Sequence, residues 1–153
     1  MDMQSTFIKE LVKALGVAAT EAKLPLLQTR IQIKVDKDGD PAKYFILDGG
    51  KEVMEITLRK LLGIGLVDIV QKEPQVSSFL NIVLAMLCFK NEVAPGEGNI
   101  RIFSQNQDGS NPLIVFLNKD AIVTRPTFSE LADLYQEYVE KYHEQADGPQ
   151  APE

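Results

Sequence analysis

The stretch Val76 to Phe89, VSSFLNIVLAMLCF, contains no charged residue, and its only polar side chains are Ser77, Ser78 and Asn81. Placed at about 100° per residue, Val76, Phe79, Leu80, Val83, Leu84 and Leu87 form one broad apolar face. Ile82, Met86 and Phe89 widen that face, and the remaining sector of Ser77, Ser78, Asn81, Ala85 and Cys88 is small and neutral. A helix with no water-facing side has to be covered, either in the core of one subunit or against a second copy. It is shorter than the roughly 20 apolar residues that cross a bilayer. Val76, Phe79, Leu80, Val83, Leu84 and Leu87 are therefore the candidate core or dimer-interface positions.

The segments around this stretch show which elements could cover it. Ser5 or Thr6 caps a first helix whose Phe7, Ile8, Leu11, Val12 and Leu15 recur at helical spacing. Gly16 lets that helix end or bend, and Leu24-Pro25 closes the segment. From Arg30 the period switches to two. Ile31, Ile33 and Val35 alternate with Arg30, Gln32 and Lys34, which predicts a strand with one wet face. Turn residues at Asp36 to Asp40 and at Asp48 to Lys51 separate Lys43 to Leu47 from Glu52 to Ile56, completing a three-stranded antiparallel meander. Thr57 to Leu62 reads as helix, Gly63 and Gly65 weaken its extension, and Leu66 to Val70 fits strand or helix. Glu73-Pro74 reads as the start signal of the central helix.

After Lys90, the breakers Ala94 to Gly98 lead into a second hairpin, Asn99 to Gln105 and Pro112 to Leu117. Its second strand is apolar throughout, as a strand covered on both faces should be. Thr127-Phe128-Ser129-Glu130 is a capping box that opens a last helix. That helix carries Phe128, Leu131, Leu134, Tyr135, Tyr138, Val139 and Tyr142 in one stripe. The expected fold class is α+β: helix, three-stranded antiparallel meander, central apolar helix, β-hairpin and C-terminal helix. One domain over 1–144 and a disordered acidic tail over 145–153 account for the length.

Charge narrows the possible partners. The net charge is −6, and Lys and Arg are scattered with no basic run, which argues against nucleic acid. The first apolar run is broken at once by Lys9, Glu10 and Lys13, so no signal segment or membrane contact is expected. The single cysteine, Cys88, excludes an internal disulfide and fits a cytoplasmic protein. A buried inert thiol accounts for it better than a reactive one.

Residues with catalytic potential do not assemble into a site. Asp36, Asp38 and Asp40 alternate as in a calcium loop, but Pro41 replaces the tight-turn glycine and Leu47 the bidentate acid. A solvated turn is the simpler account. Gly63-Ile64-Gly65 and Gly96-Glu97-Gly98 lack the rest of a phosphate-binding loop. His143, the only histidine, lies near the chain end, a poor place for an oriented base. With one Cys and one His, no zinc site is expected. Glu52 and Glu55 fall at odd separation on a strand and so should point to opposite faces. Tyr135, Tyr138 and Tyr142 fit half-buried packing better than a recognition stripe. No catalytic residue, cofactor or metal is expected.

Phe7 to Val17, FIKELVKALGV, looks like the opening helix of the type III secretion chaperones and their YbjN-like relatives, which often ends in Leu-Gly and an apolar residue. Phe128 to Tyr142 is similar to their closing helix, and the order of elements between them matches from Phe7 to Tyr142. The link from Leu58 to Pro74 is longer than in that pattern, and Tyr142 stands nearest to where many chaperones have a tryptophan. The resemblance implies a non-enzymatic homodimer, chaperone-like or adaptor, that offers sheet edges and apolar grooves to an extended segment of a client protein. Its central helix would lie at or near the two-fold interface. The alternative is a small-molecule-binding or regulatory domain with a pocket near the Leu58–Val70 link, where Gly63 and Gly65 would admit a ligand close to the backbone.

Overall fold

The computed structural model describes residues 3–35, 41–62, 66–107 and 112–146. Helix α1 (Met3–Ala22) leads through a 3₁₀ turn at Leu26–Gln28 into strands β1 (Thr29–Lys34), β2 (Lys43–Asp48) and β3 (Lys51–Ile56). Helices α2 (Leu58–Leu62) and α3 (Leu66–Lys90) follow, then β4 (Gly98–Ser104), β5 (Pro112–Asn118), β6 (Ala121–Thr124) and α4 (Phe128–Ala146). The α+β class is as expected. The six strands form one antiparallel sheet in the order β3-β2-β1-β4-β5-β6. Two meanders, each preceded by a helix, therefore join along β1 and β4.

Three points differ from the sequence reading. The second β unit is a meander and not a hairpin, because the short Ala121–Thr124 strand returns after a turn in which Lys119 takes a left-handed φ of 57°. The central helix begins at Leu66, so Pro74 sits inside it and not before it. Proline is preferred in the first helical turn, but where packing holds the rest of a helix it also survives internally at the loss of one hydrogen bond. The sequence leaves open whether Val17 to Lys23 continues the first helix; helix α1 runs through Gly16 and ends where Lys23 adopts a φ of 58°. Helix α4 reaches Ala146, two residues into the stretch expected to be a tail; 147–153 lie outside the described residues.

Period-two alternation gives the sheet an inner and an outer face. Ile31 and Ile33 of β1, Tyr44 and Ile46 of β2, Ile56 of β3, Ile100 and Ile102 of β4, and Ile114 and Phe116 of β5 all join one buried cluster with the helices. Helix α1 contributes Ala14, Leu15 and Ala18, and α4 contributes Leu131. Helix α3 contributes Phe79, Leu80, Val83, Leu84 and Leu87, with Val76 packed at the margin. Five of the six candidate positions are thus buried within a single chain. Tyr135 of α4 meets Phe79 with ring centroids 5.2 Å apart, which pins α4 against α3.

The polar groups of the central stretch have internal duties. Asn81 Oδ1 accepts the Ala42 N–H at 2.8 Å, and Asn81 Nδ2 donates to the Ser77 carbonyl at 2.7 Å, tying α3 to the entry of β2. Cys88 is buried, and burial pushes its thiol pKa up, away from thiolate chemistry. A Cβ built on Gly98 would collide with Cys88 Sγ and press the Phe116 ring at 3.2 Å. Gly98→Ala is therefore expected to cost about 1–3 kcal/mol, read by urea denaturation. An unchanged midpoint would mean that β4 and α3 stand farther apart than this.

The expected capping box is formed: Thr127 Oγ1 accepts the Glu130 N–H at 3.0 Å, and Glu130 Oε1 accepts the Thr127 N–H at 2.8 Å. Among the described residues, no helix is long and apolar enough to cross a membrane.

Candidate functional site

Phe45, Leu47, Val115 and Leu117 are buried yet take no part in the helical core. Their register explains this. Phe45 pairs with Gln32, Leu47 with Arg30, Val115 with Arg101 and Leu117 with Asn99, so all lie on the sheet face away from the helices. Long side chains shield this outer face in place of a helix. The Arg30 guanidinium lies 4.5 Å from the centroid of the Phe103 ring, and Lys34 Nζ lies 4.7 Å from that of Phe45. In the middle, Gln32 Nε2 donates to Asn99 Oδ1 at 3.2 Å, and Asn99 Nδ2 donates to the Lys119 carbonyl at 2.9 Å.

The two halves of this face differ in charge. On the β3 side, a register shift opposite Ile46 and Leu47 leaves Val53 unpaired, so Glu52 faces Leu47 and Glu55 faces Phe45. Both glutamates therefore share the outer face, contrary to the opposite faces expected from their spacing, because the bulge inserts one extra residue between them. Both are exposed, and Glu52 is taken up by Lys34 at 3.5 Å.

The β4–β6 half holds a groove of about 590 Å³. Its apolar floor and walls include Phe103, Leu113, Val115, Ile122 and Phe128, and its charged lining is Arg30, Arg101 and Arg125. Among the described residues, no Asp or Glu lines it. Leu113 is 39% and Ile122 55% exposed, an unusual pair of aliphatics to leave on one surface. Strand β6 pairs only with Phe116 to Asn118, so β5 from Pro112 to Val115 has no strand on that side among the described residues. Half of β5 thus has no strand partner on the side where the apolar groove lies, across from Arg125 to Phe128.

The arginines are held by their strands. Arg30 Nη1 donates to the Leu27 carbonyl at 2.9 Å, which anchors the guanidinium over Phe103. Burial, and after it the proximity of Arg101, lower the Arg30 pKa from its usual value. Arg101 Nη2 pairs with the exposed Asp120 at 3.1 Å, while its Nε is buried with no hydrogen-bond partner. Arg125 follows Thr124 at the end of β6 and is exposed.

Other expected sites look different. Asp36, Asp38 and Asp40, like Gly63 and Gly65, lie outside the described residues, and no group of three metal-ligating side chains occurs among those described. Near the link, a hollow of about 270 Å³ is lined by Ala42, Tyr44, Glu55, Thr57, Leu58 and Ser77. His143 and Tyr142 belong to the last turns of α4, and their side chains lie outside the described residues. Tyr135 and Tyr138 are half-buried.

No family model matches the chain, and neither a curated protein nor a solved structure is significantly similar to it.

Proposed function

We propose that this protein is a non-enzymatic binding module, chaperone-like or adaptor, that captures an extended segment of a client protein beside β5. The observation that carries this reading is the stretch of β5 from Pro112 to Val115 that has no strand beside it among the described residues, bordered by the exposed Leu113 and Ile122. A peptide laid there would satisfy the outward backbone groups of β5 and continue the line of β6, with its side chains alternating between the two sheet faces. Four residues of extended chain, roughly 13 Å, match the free length. The edge strand at the far end of the sheet, β3, is less suited. It carries the charged Lys51, Glu52 and Glu55 and a bulge, both devices that discourage pairing.

The module acts as a homodimer in this reading, through the outward sector of α3 that holds Ser78, Ala85 and Phe89. Phe89 is 77% exposed, which supports a partner there. Gel filtration with light scattering at tens of micromolar should return twice the monomer mass, and a strict monomer overturns the dimer.

Selection of a random 12-residue display library on the purified protein tests the binding reading. Peptides of micromolar affinity are expected to emerge and to lose most of their affinity for the Leu113→Ser/Ile122→Ser variant. An empty selection, or binders indifferent to that variant, overturns it.

A further inference from the structure

We infer that the segment captured beside β5 is acidic, with Asp or Glu on the outer sheet face alternating with apolar residues that meet Ile114 and Phe128. This rests on the reading of the β5 edge as a strand-docking site and specifies the chemistry of what docks.

Charge complementarity is the first argument. The chain has 16 basic and 22 acidic residues, yet among the described residues the groove is lined by Arg30, Arg101 and Arg125 and by no acid. An acidic protein that gathers three cations around one apolar groove selects against its own surface and in favour of anionic partners. The nearest ion pair, Arg101 with Asp120, reaches outward to a carboxylate that is 93% exposed and readily exchanged for another.

Repulsion between two cations is the second argument. Arg101 and Arg30 share a face, since Gln32, two residues from Arg30, is the residue paired with Arg101. A carboxylate docked in the groove would offset that repulsion, and it can take two parallel hydrogen bonds from one guanidinium.

Register sets the spacing. Val115 pairs with Arg101, and Thr124, immediately before Arg125, pairs with Phe116. Arg101 and Arg125 therefore stand on either side of β5 at about the same level, two strand spacings or roughly 10 Å apart, with Arg125 at the end of the docking line. A strand laid beside β5 turns alternate side chains to this outer side. Its other side chains pass toward Ile114 and Phe128, where no charged residue lines the groove. The pattern is acidic and apolar at a period of two.

The same display library tests the pattern. Peptides enriched on the wild-type protein should carry Asp or Glu at alternate positions well above the library's own frequency. Arg101→Gln and Arg125→Gln should each weaken a selected peptide about tenfold. Lys51→Gln, on the far edge strand, should leave the affinity unchanged. Circular dichroism of the variants checks that each is folded. Peptides that depend on Leu113 and Ile122 but show no excess of acid, or that bind the arginine variants undiminished, overturn the acidic specificity and leave strand capture standing. An empty selection removes strand capture itself. Displacement of the selected peptides by inorganic phosphate alone would make the groove a small-anion pocket and overturn the proposal. So would self-association of the protein that disappears in the arginine variants, since the occupant would then be a second copy.

Discussion

Leu80→Glu is expected to abolish cooperative folding or leave a protein only marginally stable. Leu80 is 3% exposed and surrounded by the apolar core that α3 shares with α1, α4 and the inner sheet face. A carboxylate in those apolar surroundings is either desolvated as a charge or forced to bind a proton. Leaving a buried charge uncompensated costs about 3–5 kcal/mol, against a total stability of about 5–15 kcal/mol for domains of this kind. Chemical denaturation followed by circular dichroism reads the loss directly. Ala85→Glu, on the exposed sector of the same helix, should shift the monomer's stability by less than about 0.5 kcal/mol. If Leu80→Glu instead gave a fully stable protein of half the native mass, the apolar stripe would be an interface and not a core.

Phe116→Ala is expected to remove about 3–5 kcal/mol, the usual loss for truncating a buried phenylalanine. Phe116 has no exposed surface, and its ring packs against the backbone of Gly98 at the start of β4. Truncation empties the space between β5 and the end of α3, where Cys88 is the other wall at Gly98. Because Phe116 and Gly98 share that space, the Gly98→Ala and Phe116→Ala effects should not add. The double variant should lose less than the sum, since the methyl occupies part of the vacated volume. Strict additivity in urea titrations would place the two residues in separate packing environments.

The elements written most plainly in the sequence were those whose signals are local. Thr127 and Glu130 are three residues apart, and a capping box needs nothing from elsewhere in the chain. The alternation of Arg30 to Val35 determined which side of β1 faces the core. The uniform apolarity of Val76 to Phe89 required burial, which α3 meets inside one chain except along Ser78, Ala85 and Phe89. Pro74 was misleading because proline marks a helix start only by preference. Strand β6 was not read as a strand because four residues carry too little periodicity to register.

The candidate site was far less legible. Arg30, Arg101 and Arg125 are scattered along the sequence, and scatter was itself the reason to discount a basic surface. They converge because β1 pairs with β4 and β5 returns beside it, a matter of long-range pairing that no local window contains. Glu52 and Glu55 repeat the lesson on the opposite half of the sheet. Counting by twos separates them, and a bulge formed against β2 reunites them.

The sequence by itself therefore determined the α+β class, the inward face of β1 and the need to cover the central helix, because hydrophobic periodicity acts within each element. Only the tertiary structure decided that most of α3 is covered within one chain, that half of β5 has no strand beside it among the described residues, and that three arginines line the groove there. Those features depend on strand order, register and strand length. Pairing energies between distant segments set all three, and nothing in the sequence of one segment shows which other segment it will meet.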